Sequence, residues 1–466
     1  MIRSLSLLAL LALAPAVLAQ DFPSTPPAPA APRTFDIPEG RTLSLDNGVD
    51  VTLVPYGDLP KATVYAVVRV GNVDEAADQT GWADLMSGLL TEGTATRSSE
   101  DIAREAAEMG GSVSAGTGLD QMFVSGRVLS EFTPALVGLI GDVLRNPAFP
   151  ADAFERVQRD ALRGAAVARS QPGTLVQAAF YRTLYGEHPY ANVILPDAAD
   201  VEAATADDVR AFYDAQVGPQ RTRLYVVGRF DEAAVEAALR TAFGDWTGGP
   251  APADPTPPTA TEGRRVILVD QPGAAQSNVI VGLPALDPSS PDYVTLQVTN
   301  ALLGGSFGSR ITRNIREDKG YTYSPGSSVS SRFRNAYWAE SAAIQTPSTG
   351  PAIAEILYEI DSLATTPPSA DELRGIQNYL AGTFVLQNSS PGGIASILAF
   401  MDLHGLGRDY LEEYTTRVYA VTPEDVRRTT AEVLRGDDAA IVVVGDRSVV
   451  EAQLTEFGDV TLTTLD

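Results

Sequence analysis

The sequence predicts an α+β protein made of two homologous α/β-sandwich halves. Two observations carry that reading. A helix–strand unit occurs twice: "TADDVRAFYDAQVGPQRTRLYVVG" runs from Thr205 to Gly228, and "TPEDVRRTTAEVLRGDDAAIVVVG" runs from Thr422 to Gly445, an offset of 217 residues. A two-helix unit repeats at the same offset, with "PALVGLIGDVLRNPAFPADAFERV" starting at Pro134 and "PAIAEILYEIDSLATTPPSADELRGI" at Pro351. Two different elements that share one offset mark a duplication.

Each element follows from its local chemistry. In the helix–strand unit, threonine is placed to cap the helix N-terminus, and the acidic residues behind it suit the helix dipole. The apolar run that follows predicts a buried strand. In the two-helix unit, an amphipathic helix meets a Pro-containing turn, and a second helix begins after Ala-Asp. Further strands are expected at "VDVTLVPY" and "ATVYAVVRVG" in the first half, and at "RRVILVD" and "SNVIVGLP" in the second. Strands mixed with long helices imply helices packed on a sheet.

The divisions of the chain are compositional. Arg3 precedes "LSLLALLALAPAVLA", a short apolar run ending in small residues. This predicts a signal peptide over 1–19, cleaved before Gln20, and hence export to a bacterial periplasm. The run is too short for a stable membrane anchor. A Pro/Ala-rich tether covers 20–36, and a second Pro-rich segment, 247–262, separates a first half (37–246) from a second (263–466).

At 466 residues the chain exceeds what one core organises, and with 44% hydrophobic and 20% charged residues it is globular in composition. The net charge of −25 would repel nucleic acid and anionic lipid, which excludes both as expected partners. There is no cysteine, so disulfides and thiolate metal sites are excluded.

Four stretches carry a resemblance. They are "GWADLMSGLLTEGT" ahead of "GGSVSAGTGLDQMFVSG"; "YGEHPYANVILP" with the "TADDVRAFY" helix behind it; "LLGGSFGSRITRNIREDKGYTYS"; and "LHGLGRDYLEEYTTRVYAVTPEDV". In this order and spacing the chain resembles the insulinase/pitrilysin-like zinc metallopeptidases, the inverzincins. The resemblance covers nearly all of the chain after the tether. It implies two duplicated insulinase-like domains facing a central chamber, where extended peptides add a strand to a sheet edge.

The resemblance also locates a zinc site and shows what has been lost from it. Active members carry H-x-x-E-H, two histidine ligands on one helical face with a glutamate as general base. The corresponding places here hold Asp84, Ser87 and Gly88, and the third ligand, a glutamate in the family, aligns with Gly164. Asp84 is a possible donor. Ser87 is not a base near neutral pH, and the glycines have no side chains. Glu155 and Asp160 fall on other turns. The chain's two histidines, His188 and His404, sit in stretches unrelated to metal and are expected to be structural. No metal or other cofactor is therefore expected in this chain, and zinc is expected in a partner subunit.

What the resemblance retains is the pair Arg316 and Tyr323, seven residues apart. It implies that they contact bound peptide, with the tyrosine supporting a developing oxyanion. Gly304, Gly305, Ser306 and Gly308 form either a mobile substrate loop or a helix interruption required by packing; the G-K-[ST] ending of a phosphate loop is absent. The expected function is that of a non-catalytic, substrate-binding subunit of a heterodimeric zinc peptidase, partnered by a homologous H-x-x-E-H chain. Two alternatives are a peptide-binding or scaffold protein without a peptidase partner, and an enzyme using a non-standard site around Asp84.

Overall fold

A computed structural model describes residues 37–251, 253–259 and 263–465. The expected signal peptide and tether lie outside the described residues. In the first half the strands are β1 (Arg41–Ser44), β2 (Asp50–Pro55), β3 (Lys61–Val68), β4 (Ser112–Thr117), β5 (Met122–Leu129) and β6 (Thr222–Gly228). The helices are α1 (Trp82–Leu89), α2 (Ser99–Glu108), α3 (Thr133–Arg145), α4 (Ala151–Arg169), α5 (Pro172–Tyr185), α6 (Ala198–Ala203), α7 (Ala206–Gln216) and α8 (Glu232–Phe243).

The second half contains β7 (Arg265–Asp270), β8 (Gln276–Ala285), β9 (Gly326–Arg332), β10 (Asn335–Gln345), β11 (Ala440–Gly445) and β12 (Val460–Thr463). Its helices are α9 (Tyr293–Leu303), α10 (Arg310–Thr312, continuing as a π-helical turn over Arg313–Asp318), α11 (Thr349–Thr365), α12 (Ala370–Gln387), α13 (Pro391–His404), α14 (Arg408–Ala420), α15 (Pro423–Val433) and α16 (Arg447–Leu454).

Among the described residues two six-stranded sheets form, in the orders β1-β2-β6-β3-β5-β4 and β12-β7-β11-β8-β10-β9. Apart from the first edge strand, the orders are identical: β2, β6, β3, β5 and β4 correspond to β7, β11, β8, β10 and β9. The two edges differ in origin. β1 opens its half and pairs antiparallel with β2, whereas β12 comes at the end of the second half and pairs parallel with β7. The central strands β6 and β11 lie parallel to β2 and β7. β11 is buried throughout, as its unbroken apolar run requires of a strand covered on both faces.

The repeated caps are also matched atom for atom. Asp208 N donates to Thr205 Oγ1 at 3.2 Å, while Thr205 N donates to the Asp208 carboxylate at 3.0 Å. Asp425 and Thr422 repeat both distances. These capping boxes satisfy N-terminal amides that the helix itself cannot.

Two helices cross between the halves. α3 packs on β3 and β5 of its own sheet, and the other face receives α13 from the second half, which contacts β3 and β6. Reciprocally, α11 covers β8 and β10, and the opposite face receives α5 from the first half. Phe180 and Leu184 of α5 join a buried cluster with Ile280, Tyr337, Val442 and Val444. Burying one such large apolar side chain contributes about 1.5–3 kcal/mol. Gly282 on β8 makes this docking possible, because a Cβ there would lie 2.2 Å from the Phe180 ring. Polar contacts close the seam: the Tyr181 and Tyr337 hydroxyls are 3.2 Å apart, Tyr225 donates to Asp402, and Phe333 N donates to Asp120 at 3.2 Å. Ile37–Asp466 accordingly clusters as one unit.

Candidate functional site

The stretch aligned with the zinc motif forms α1, as the sequence predicts. It enters from Gly81 in a left-handed conformation (φ 86°) and leads to Gly93 and Thr94. Thr94 Oγ1 donates to Asp142 on α3 at 2.6 Å, which fixes the turn. α4, which carries Gly164, packs against α1. Helix and turn are thus anchored by α3 and α4.

The donor chemistry does not fit zinc. Ser87 is buried, and its hydroxyl donates back to the Asp84 carbonyl at 3.2 Å. Gly88 faces Val157 of α4, and a Cβ placed on Gly164 would meet no atom within 4 Å. Asp84 accepts a 3.0 Å hydrogen bond from Asn72 Nδ2. Its side chain reaches solvent, yet the surrounding wall desolvates the carboxyl and raises its pKa. Among the described residues no three His, Cys, Asp or Glu side chains converge as a metal site would require.

Sequence reasoning missed the floor beneath this helix. Asn72 bridges two carboxyls: the same Nδ2 that reaches Asp84 lies 3.2 Å from Glu75 Oε1. Glu75 is buried and accepts the Ala83 backbone N–H at 2.8 Å, holding the first turn of α1. Burial pushes its pKa up to about 7. No motif signals this, because Glu75 becomes buried only when α1 folds over it.

The second half gathers the retained pair. Arg316 lies on the π-helical turn after α10, and Tyr323 lies ahead of β9. The Arg316 guanidinium carbon is 4.9 Å from the Tyr323 ring centre and 4.5 Å from that of Phe307. Tyr323 and Phe307 are 78% and 73% exposed, so neither ring serves a core. Arg316 Nε also meets the Glu317 carboxylate at 3.0 Å. The arrangement is a surface guanidinium oriented by two aromatic rings. The sequence analysis identified Arg316 and Tyr323 but not Phe307, whose place in the glycine-rich stretch was the available signal.

The glycines in that stretch have different reasons to be small. A Cβ at Gly304 would sit 2.3 Å from Glu340 Oε2, and one at Gly305 would sit 2.4 Å from Asn300 Nδ2. Gly308 faces open space. Gly304 and Gly305 therefore meet a packing requirement at the end of α9. Ser306, between Gly305 and Phe307, is half-buried.

Both histidines hold structure. His188 Nδ1 accepts the Tyr190 N–H at 3.3 Å, which leaves Nε2 to donate to Thr256 O at 2.9 Å and pins the interdomain segment. His404 is buried beside Phe400, and desolvation lowers its pKa to about 4.

Residues 57–198 match the insulinase (peptidase family M16) domain, and residues 203–380 match the peptidase M16 inactive domain. The chain belongs to the M16 peptidase family. An uncharacterized zinc protease of Streptomyces coelicolor is 26% identical over 87% of this chain and 89% of its own length. The M16 inactive domain structure from Pseudomonas fluorescens superposes with a TM-score of 0.81 at 24% identity, covering 87% of this chain and 98% of that one. A protease from Helicobacter pylori gives 0.82 at 18% identity, covering 88% and 100%. The M16 fold is thus present in both halves, with an α1 that lacks the donors of the H-x-x-E-H motif. Among the described residues no helix is long and apolar enough to cross a membrane.

Proposed function

We propose that this M16 chain is the non-catalytic, substrate-binding subunit of a heterodimeric zinc peptidase acting on peptides or small unfolded proteins in the periplasm. One observation carries the reading. The zinc donors are missing from α1 and α4, while a half-buried Arg316 is held between the exposed rings of Phe307 and Tyr323 in the second half. A side-chain cluster exposed to this degree does little for the fold, and its chemistry suits a peptide carbonyl or carboxylate. Zinc and the general base would come from a homologous H-x-x-E-H partner. The Arg316 edge would orient the peptide, and the Tyr323 hydroxyl would donate to the oxyanion that forms at the partner's site.

The test is reconstitution. The chain is co-purified with a homologous H-x-x-E-H subunit, and cleavage of unstructured peptides is measured with and without it. The reading requires cleavage to depend on this chain and to fall with Arg316→Ala. Full activity of the partner alone, with Arg316→Ala and Tyr323→Phe silent, would return this chain to a scaffold role.

A further inference from the structure

The duplication gives the zinc cleft a counterpart in the second half. There α9 packs on α12 in the way α1 packs on α4, between equivalent strands. Matching Leu302-Leu303 at the end of α9 to Leu89-Leu90 at the end of α1 sets Gln297 where the first half has Asp84. Beside Gln297 opens a cavity of about 490 Å³ lined by the rings of Tyr293, Phe384, Phe400, Tyr410 and Tyr414. Its size lies in the range of small-molecule sites, roughly 300–1,000 Å³.

The lining has a definite chemistry. None of its side chains carries a formal charge, although the chain as a whole carries −25. Phe384 and Tyr414 stack at 4.1 Å, and Tyr410 lies 5.8 Å from Tyr414 and 6.2 Å from Phe400. Burial holds the Tyr293, Tyr410 and Tyr414 phenols neutral by raising their pKa values. The Gln297 amide hydrogen-bonds the Tyr293 and Tyr410 hydroxyls at the wall of the cavity. Rings stacked and tilted against one another receive another flat ring better than an aliphatic chain.

We propose that this cavity binds a neutral aromatic group, the indole or phenol side chain of an extended peptide. The peptide context rests on the function proposed above, whereas the aromatic site is a property of this chain alone. An anchor here would hold one residue of a peptide at a distance from Arg316, in a half that has no hydrolytic donors.

The test uses the full chain without any partner, so it can fail independently of the reconstitution assay. Saturation-transfer difference NMR is recorded with N-acetyl-tryptophanamide, N-acetyl-tyrosinamide and N-acetyl-leucinamide. The two aromatic probes should receive saturation through their ring protons and outcompete the leucine probe. Ser396 stands exposed at the rim on α13, and Ser396→Trp should fill the cavity and weaken both aromatic probes at least about tenfold. No transfer to the aromatic probes at millimolar concentration overturns the proposal. So does equal binding of the leucine probe, or undiminished aromatic binding by a folded Ser396→Trp chain.

Discussion

The guanidinium carbon of Arg316 lies 4.9 Å from the centre of the Tyr323 ring, and that ring is 78% exposed. A contact of this kind at an exposed site contributes about 0.5–1 kcal/mol, enough to orient an arginine and too little to hold a fold together. Tyr323→Phe keeps the ring and removes only the hydroxyl. In the reconstituted heterodimer it should lower kcat by roughly a hundredfold to a thousandfold, the usual effect of losing one oxyanion donor. Arg316→Ala should act mainly through KM. Steady-state kinetics with melts of each subunit check both. A large fall in melting temperature for Tyr323→Phe with intact kinetics would make the tyrosine structural.

Restoring the zinc motif calls for four changes. Asp84→His, Ser87→Glu and Gly88→His rebuild α1, with Val157 shifting by a few tenths of an ångström because a Cβ at Gly88 lies 3.3 Å from its Cγ1. Without Gly164→Glu the third ligand is still missing, and zinc should remain substoichiometric after chelator washing and reconstitution. A Cβ at Gly164 meets no atom within 4 Å, so Gly164→Glu starts without a clash and should raise the occupancy. Metal analysis of the two variants decides this, and robust hydrolysis by the triple variant would show that the third ligand lies elsewhere.

Gly304 and Gly308 should respond differently to the same substitution. Gly304→Ala drives a methyl toward Glu340, a fully buried carboxyl whose pKa is raised well above the usual range by desolvation. The expected cost is about 1–3 kcal/mol. Gly308→Ala should stay within about 0.5 kcal/mol. Denaturant melts of the two variants measure the contrast, and equal losses would contradict the packing role of Gly304.

Glu75 makes a pH-dependent prediction. Its folded pKa of about 7 stands above the 4.5 of a free glutamate, so the folded state binds the extra proton. Stability from this group is greatest below about pH 4.5 and declines as pH rises toward and through 7. Glu75→Gln keeps an acceptor for Ala83 N–H and removes the titration. Its advantage over the parent chain should grow from pH 5 to pH 8, to on the order of 3 kcal/mol. A stability difference independent of pH would show that Glu75 is not the titrating group.

Much of the fold was legible because it is local. Thr205 and Thr422 cap helices through contacts three residues away, and the strands β6 and β11 declare burial by the apolar runs Leu224 to Val227 and Ala440 to Val444. The duplication was legible for the same reason, since equal local patterns recur at one offset. The empty zinc motif could also be read directly, because a missing imidazole or carboxylate is a property of residue identity alone.

Which surfaces meet was decided only in three dimensions. α5 and α13 have little hydrophobic asymmetry around the helix, and nothing in their sequences says that each covers the other half's sheet. That exchange depends on complementary shapes far apart in the chain, such as the Phe180 ring over the bare Cα of Gly282. The Asn72 bridge between Glu75 and Asp84, the rings around Gln297 and the approach of Phe307 to Arg316 arise in the same way. A sequence pattern sets the polarity of a face, whereas the partner of that face is chosen by steric fit and desolvation, which exist only once the chain is packed.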